Sequence, residues 1–455
     1  MKAEPSPLRS PSLVILILAI SISGTLYGYN IGAMSGVLFF VDKEMTLTHA
    51  EASLFVSSFL WGIVLVMFFM GHLADWIGRK KTLVLSAFTA VVSVVAMVLA
   101  HGIWQLIIGR LLVGVASGML TMTVPLYLTE TLPASLRGRG TVAFQLFLTF
   151  GILISTIISW CYVRSFAWRP IFLFELVPVA FVLIISLFVP ESPRWLAAKH
   201  KNDEALHVLT RLGSEDSAQK ELAAIVKSMA TKKDTHPFKA LFHMVYLFPL
   251  GLAISLGILN QFTGINAILQ YDSTILYLSG FGKNESALLG SILITAINFV
   301  MTIVAICIVD RFERKRLLQF GLVGVIACLL GCSLIHFFVA QDMLRAVLVT
   351  AFLLGYIVFF AIAPGALIWT LMAELLPSKI RSSGLALALL LTSIAGASLS
   401  ALFLPLQDKI GFSGIFLLFA VTSSIYFVAT FLMPPIKGLS LEEIEKGIVN
   451  RNGRT

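Results

Sequence analysis

The sequence predicts an all-α polytopic membrane protein. Twelve transmembrane helices form two six-helix parallel repeats, with a short cytoplasmic helical segment between the halves. Three observations predict it. Of 455 residues, 58% are hydrophobic and only 13% are charged, about half the charged share of a soluble domain. Apolar stretches of about 20 residues, the length that crosses a bilayer, recur along the whole chain. The polar motifs between those stretches also come twice, in the same order. A soluble chain of this length would need a solvated face on each of two or three domains, and this composition cannot supply them.

The spans fall near 13–40, 52–73, 82–100, 103–128, 141–160 and 171–190 (helices 1 to 6), then near 247–278, 286–309, 317–339, 344–372, 384–404 and 413–433 (helices 7 to 12). Helix 1 follows Lys2 and Arg9 as the core of a signal peptide would. It is too long for one, lacks a small-x-small cleavage site, and precedes eleven further spans. Residues 191–246 are the one large polar segment, with nine Lys/Arg and seven Asp/Glu. Within it Leu206, Leu209 and Leu212, then Leu222, Ile225 and Met229, recur at helical spacing and predict short surface helices. The expected organisation is an N-terminal half (1–190), a cytoplasmic linker (191–246), a C-terminal half (247–433) and a cytoplasmic tail (434–455).

The net charge of +9 would suggest nucleic acid only if the cations formed a patch or stripe. They sort by loop instead. With an even number of spans, both termini share a side with the 2–3, 4–5, 6–7, 8–9 and 10–11 loops. That side holds 26 Lys/Arg, the other side six (Lys43, Arg164, Arg169, Lys283, Arg345 and Lys409), and Arg110 lies inside helix 4. Such a split places both termini and the linker in the cytoplasm of a multi-pass cell-membrane protein. Four scattered cysteines imply no disulfide framework. Cys328, Cys332 and His336 form a stripe at helical spacing without a carboxylate, which reads as apolar packing, so no metal or cofactor is expected.

The internal repeat rests on three echoes. Glu130-x-x-Pro133-x-x-x-Arg137 returns as Glu374-x-x-Pro377-x-x-x-Arg381. Asp75-x-x-x-Arg79-Lys80 returns as Asp310-x-x-x-Arg314-Lys315. Gly28-Tyr29-Asn30 in helix 1 is echoed by Gly264-Ile265-Asn266 in helix 7. Two halves related in this way predict a central cavity between them.

With Gly71-His-Leu-Ala-Asp75-Trp-Ile-Gly78-Arg79-Lys80-Lys81, Pro190-Glu191-Ser192-Pro193-Arg194-Trp195-Leu196 and Gln261-Phe-Thr-Gly264-Ile265-Asn266, the chain resembles the sugar porters of the major facilitator superfamily over nearly its whole length. The resemblance implies the major facilitator fold and transport of a monosaccharide, hexose or pentose, by alternating access. One departure is Glu313, where the second loop motif usually has Gly.

A sugar site needs amides that both donate and accept, and an apolar face for the ring. The intramembrane candidates are Gln145 on helix 5, Asn260, Gln261, Asn266 and Gln270 on helix 7, Asn298 on helix 8 and the flat surface of Trp369 on helix 10. Gly264 permits a bent or unwound segment in helix 7. Each amide taken alone also reads as an interhelical hydrogen bond worth about 0.6–2 kcal/mol. The resemblance favours the sugar reading for Gln145, Gln261, Asn266, Asn298 and Trp369. Asn260 replaces a Gln of many members, Thr392 the helix 11 Asn of glucose facilitators, and Gln270 their Tyr, which leaves the preferred sugar open.

Arg110 and Glu175 enter the membrane from the same side to similar depth, so a buried pair between helices 4 and 6 is expected, as a static salt bridge or a coupling device. Proton-coupled sugar porters carry Asp in the helix 1 triplet, where this chain has Asn30, and an amide cannot titrate. Facilitated diffusion is therefore favoured, with a sugar–proton symporter using Glu175 and Arg110 as the alternative. A carrier of a cyclitol or another small polar or anionic solute is the second alternative. Asp75, Arg79, Glu130, Arg137, Glu191, Arg194, Asp310, Arg314, Glu374 and Arg381 are the candidate gating residues, which in the family latch the cytoplasmic side. The partners expected are the sugar, the lipid bilayer and conditionally a proton, with no nucleic acid, for a chain working as a monomer. An enzyme would need a clustered nucleophile, acid/base or metal set, and a sensor a long signalling tail. Neither is present in the sequence.

Overall fold

The computed structural model describes residues 17–18, 20–131, 137–212, 215–230, 241, 243–309, 311–377 and 380–433. Among them every regular element is helical. Ten stretches are long and apolar enough to cross a membrane, and one of these, Ser383–Leu432, holds two spans. Gly24–Met45 stands in addition, giving twelve membrane helices. Helices 1 to 6 are Gly24–Met45, His49–Ile77, Arg79–Val98, Ile103–Thr131, Arg137–Cys161 and the pair Arg169–Phe174 with Leu176–Phe188. Helix 7 is Met244–Gln261 with Ile265–Leu276, helix 8 Asn284–Ile308, helix 9 Arg314–Phe338 and helix 10 Asp342–Ile362 with Pro364–Leu375. Helices 11 and 12 share the run Arg381–Ala429, interrupted at Gly411, whose φ of 65° is left-handed. In the linker, Pro193–Ala198, Asn202–Leu212 and Glu215–Ala230 are short helices. Leu196, Ala197, Ala205 and Val208 form their small core, with Leu222 and Ile225 packed against it.

The breaks have local causes. Pro364 has no N–H to continue helix 10 and crowds the preceding turn, so Ala363 leaves helical geometry at φ −125° and ψ −77°. Helix 7 stops at Gln261 and restarts after Gly264, which takes φ 90° and ψ 6°, a conformation only glycine adopts at little cost. Backbone carbonyls freed inside a membrane must find protein partners. Thr422 Oγ1 of helix 12 donates to Phe262 O at 2.7 Å, and Tyr356 Oη of helix 10 donates to Thr263 O at 3.2 Å.

Packing divides the chain into two compact units that do not follow chain order. One holds 1–30, 61–151 and 172–235; the other holds 31–60, 152–171 and 236–455. In the first unit, helices 2 and 4 approach through glycine. A Cβ at Gly118 would press on Val66 and Ile63, and one at Gly62 on Leu111 and Gly114. In the second unit, the end of helix 1, the start of helix 2 and the end of helix 5 pack with the chain from 236 onward. The cation-poor loops there are tied by an Arg164–Glu285 ion pair at 3.0 Å and a His49 Nδ1–Asp408 contact at 2.7 Å. Glu44, past the apolar span of helix 1, accepts from Trp168 Nε1 at 2.6 Å and from Arg169. Burial pulls its carboxyl upward, but the Trp168 and Arg169 hydrogen bonds and the Arg169 charge outweigh that and hold it below the usual range. A carboxyl held low stays ionised at neutral pH, and this tie is lost only as pH falls through that lowered value.

Close helix approach at Gly118 makes a size prediction. Gly118→Leu should destabilise the first unit by about 1–3 kcal/mol, the usual cost of overpacking, read as a lower thermal midpoint in detergent, whereas Gly118→Ala should cost less.

Candidate functional site

Sugar-type chemistry concentrates on helix 7, and its break arranges it. In a continuous helix Gln261 and Asn266 would lie five residues apart on different faces. With the chain redirected at 262–264, Asn266 Nδ2 donates to Gln261 Oε1 at 2.7 Å. Gln270 Nε2 then donates back to Asn266 O at 3.0 Å. Helix 11 leaves room for this pair, because a Cβ at Gly396 would stand 2.9 Å from Gln261 Oε1. Among the buried side-chain atoms in the same unit that have no hydrogen-bond partner are Asn260 Oδ1, Gln270 Oε1 and Thr392 Oγ1. Such unmet capacity inside a membrane protein is costly and suits a ligand rich in hydroxyls. Asn298 is buried on helix 8, and Trp369 on the second half of helix 10 is 43% exposed. Gln145, on helix 5, is half-buried in the other unit.

The expected Arg110–Glu175 pair has a third member. Arg110 is fully buried, as are Asn30 and Glu175. Arg110 Nη1 donates at 3.1 Å to both the backbone O and Oδ1 of Asn30, while Asn30 Nδ2 donates to Glu175 Oε1 at 2.8 Å. The amide thus offers its oxygen to the cation and its nitrogen to the carboxylate. A carboxylate at position 30 could do only the first. Glu175 Oε2 has no hydrogen-bond partner.

On the cation-rich side the repeat is visible as chemistry. Arg79 lies buried against Glu130 at 2.8 Å and reaches Asp75 at 3.0 Å. Ser192 Oγ donates to the other oxygen of Glu130 at 2.5 Å. Glu191 caps the start of helix 3, accepting from the backbone N–H of Arg79 at 2.8 Å and of Lys80 at 3.1 Å, where a helix N-terminus favours a negative charge. In the second copy Arg314 pairs with Glu374, and Arg381 Nε donates to Leu376 O at 3.1 Å. Gly78 takes φ 96° beside Glu191, while its counterpart Glu313 sits at φ −67° and ψ 123°. The second turn therefore needs no glycine. Arg194 is exposed on the first linker helix. Asp310 and the side chain of Arg137 lie outside the described residues.

Sequence reasoning missed one group. Asp272, in the second half of helix 7, is fully buried. It accepts from Ser273 N and from Ser291 Oγ, each at 2.6 Å. An acidic residue within an apolar span was itself the available signal. The Cys328 and Cys332 thiols are buried, and His336 sits between Cys332 O and Ser279 Oγ, both at 3.0 Å, against the rings of Phe412 and Phe416.

Comparison with known proteins agrees along nearly the full length. The family described as "Sugar (and other) transporter" matches residues 16–447. The chain is 33% identical over 453 residues to the glucose transporter GlcP of Staphylococcus epidermidis, covering 98% of this chain and 99% of that one. It is 32% identical over 435 residues to the galactose-proton symporter of Escherichia coli K12, covering 94% and 93%. A partially occluded inward-open structure of the xylose transporter XylE from E. coli superposes with a TM-score of 0.82 at 23% identity, over 95% of this chain and 100% of that one. That likeness is one of fold.

The Arg79–Glu130 pair yields a stability test. Removing one partner of a buried pair leaves an uncompensated charge, at a cost of about 3–5 kcal/mol. Glu130→Ala should therefore lower the detergent melting midpoint well beyond Glu204→Ala, whose partner Lys201 is exposed.

Proposed function

This chain belongs to the sugar (and other) transporter family, a family of membrane transporters rather than enzymes, and on that premise we propose that it carries a monosaccharide by alternating access, with the helix 7 amides at the binding site. The observation that carries this reading is the Gln261–Asn266 contact across the helix break, flanked by the unpartnered acceptors of Asn260, Gln270 and Thr392. These groups meet the needs of a neutral polyol, with Trp369 and Asn298 of the same unit as further contacts. The six-helix halves 1–190 and 247–433 are the proposed moving parts. The cation-rich loops face the cytoplasm in this reading, and the Arg79–Glu130 and Arg314–Glu374 pairs belong to a cytoplasmic latch.

Facilitated diffusion is the energetic reading that helix 1 supports. Asn30 stands between Arg110 and Glu175 with its donor and acceptor already matched to both, and an amide carries no proton to exchange. Symport through Glu175 is the second reading, favoured by the unpartnered Oε2 of that carboxylate and by the galactose-proton symporter among the relatives.

In proteoliposomes, labelled glucose, galactose or xylose should exchange. Gln261→Ala should lower that exchange by about ten- to a hundredfold, the loss expected for one or two hydrogen bonds. Exchange untouched by the substitution would remove Gln261 from the site. A proton gradient should not drive accumulation above equilibrium. Uphill uptake that disappears in Glu175→Gln would replace facilitated diffusion by symport.

A further inference from the structure

Asp272 is a second intramembrane carboxylate, remote in sequence from the Arg110–Asn30–Glu175 group, and its surroundings are unusual. It lies nine residues before Phe281, roughly 13 Å along a helix from the end of helix 7. Gln270 is two residues away on the inner side. Ser35 on helix 1, Ser273 beside Asp272 and Ser291 on helix 8 surround it, and all four residues are buried within one compact unit. Ser273 Oγ donates to the backbone O of Ser35, tying helix 7 to helix 1. Among the described residues Asp272 makes no ion pair; its hydrogen bonds come from Ser273 N and Ser291 Oγ. Titratable and charged groups on the packed elements have other partners. Tyr271 donates to Ser400 O, Tyr277 packs edge-on against Phe39, Glu285 at the start of helix 8 pairs with Arg164, and His336 and Arg345 meet Ser279. At the end of helix 11, Asp408 contacts His49 Nδ1. On helix 1, Glu44 holds Trp168 and Arg169, and Lys43 stacks on Phe166.

The charge on Asp272 sets the direction of the hydroxyls around it. Ser291 Oγ is the donor both to Asp272 Oδ2 at 2.6 Å and to Ser35 Oγ at 3.2 Å. A hydroxyl has a single hydrogen. If Asp272 is ionised, that hydrogen goes to the carboxylate, and the Ser35 contact then needs Ser35 to turn its own hydroxyl hydrogen toward Ser291. If Asp272 carries a proton, its own O–H donates to Ser291 Oγ, and the Ser291 hydrogen is free to reach Ser35. Ser291 then accepts from Asp272 and donates to Ser35, and the chain of contacts from helix 7 through helix 8 to helix 1 carries no charge. Protonation also removes the cost of an unpaired charge in the membrane.

We propose that Asp272 is a proton-binding site, and that its protonated carboxyl permits the outer ends of helices 1, 7 and 8 to close. The step moves one proton from water to a carboxylate oxygen and reverses the direction of one serine hydroxyl. It rests on the alternating-access reading above. It does not require accumulation, since a proton that enters and leaves on the outer side sets the pH range of the carrier without driving it uphill.

The test is labelled-glucose exchange in proteoliposomes with equal pH on both sides, which is blind to coupling. Wild-type exchange should fall as pH rises past the Asp272 midpoint, by up to about tenfold per pH unit, the limit for one linked proton. Asp272→Asn, fixed in the neutral form, should keep the acid rate throughout. Ser291→Ala keeps the carboxyl but cuts the relay to Ser35 and should move the midpoint. An Asp272→Asn profile that follows wild type, a flat wild-type profile, or dependence on sodium in place of pH overturns the proposal. Infrared difference spectra on the purified chain give a readout independent of sugar. A carboxyl C=O band that titrates with pH and is missing in Asp272→Asn supports the site, and its absence from wild type overturns it. Failure of glucose to exchange at any pH, with that band present, counts against glucose as substrate and leaves the proton site standing.

Discussion

A guanidinium with no access to water sets the terms for the first compact unit. Arg110 cannot lose its charge, and inside a membrane that charge must be met by protein oxygens at a fixed place. Helix 1 brings two of them, both from Asn30, and helix 6 brings Glu175 to the far side of the same amide. Three helices are held in register by one side chain that donates one way and accepts the other. Helix 6 is interrupted at Glu175 itself, between Phe174 and Leu176. Glycine contacts near this register, such as Gly151 against the backbone of Thr25 and Tyr29, keep helix 5 close enough to helix 1 for the arrangement to stay packed.

The two copies of the loop motif reach one end by different local means. Both place an arginine at the start of a helix against a glutamate from a later helix, Arg79 with Glu130 and Arg314 with Glu374. In the first copy a left-handed glycine lets Glu191 cap the helix from across the turn. In the second, Glu313 precedes the helix in extended geometry and pairs with Arg316 at 2.8 Å. The repeat therefore conserves the ion pair and not the turn. An arginine–carboxylate contact needs two side chains at the right spacing, whereas the tight turn is needed only where something must approach it.

Most of the architecture was legible because lipid leaves few choices. Runs of about twenty apolar residues cannot be anything but membrane helices at this length and number, and Gly264 marked the break in helix 7. What could not be read were contacts made by that break. Gln261 and Asn266 are more than a turn apart in any regular helix, so their hydrogen bond exists only once the chain has turned. The role of Asn30 was hidden for a related reason. As a letter it is a missing carboxylate, and only its placement between Arg110 and Glu175 shows it as a bridge. Asp272 was legible as an acidic residue within an apolar span, but its surroundings were not, since position 35 gives no local sign of facing position 291.

The amide at position 30 has one further consequence. Asparagine and aspartate differ by the exchange of an amino group for an oxygen, and their codons differ in a single base. Aspartate here would set a second carboxylate at hydrogen-bond distance from Glu175, with one guanidinium for the two of them. Every other atom of the group could stay where it is. The distance between a carrier with a fixed polar joint in its first unit and one with a pair of competing acids is thus a single nucleotide. Closely related chains can therefore differ in the charge at this joint while remaining superposable in fold.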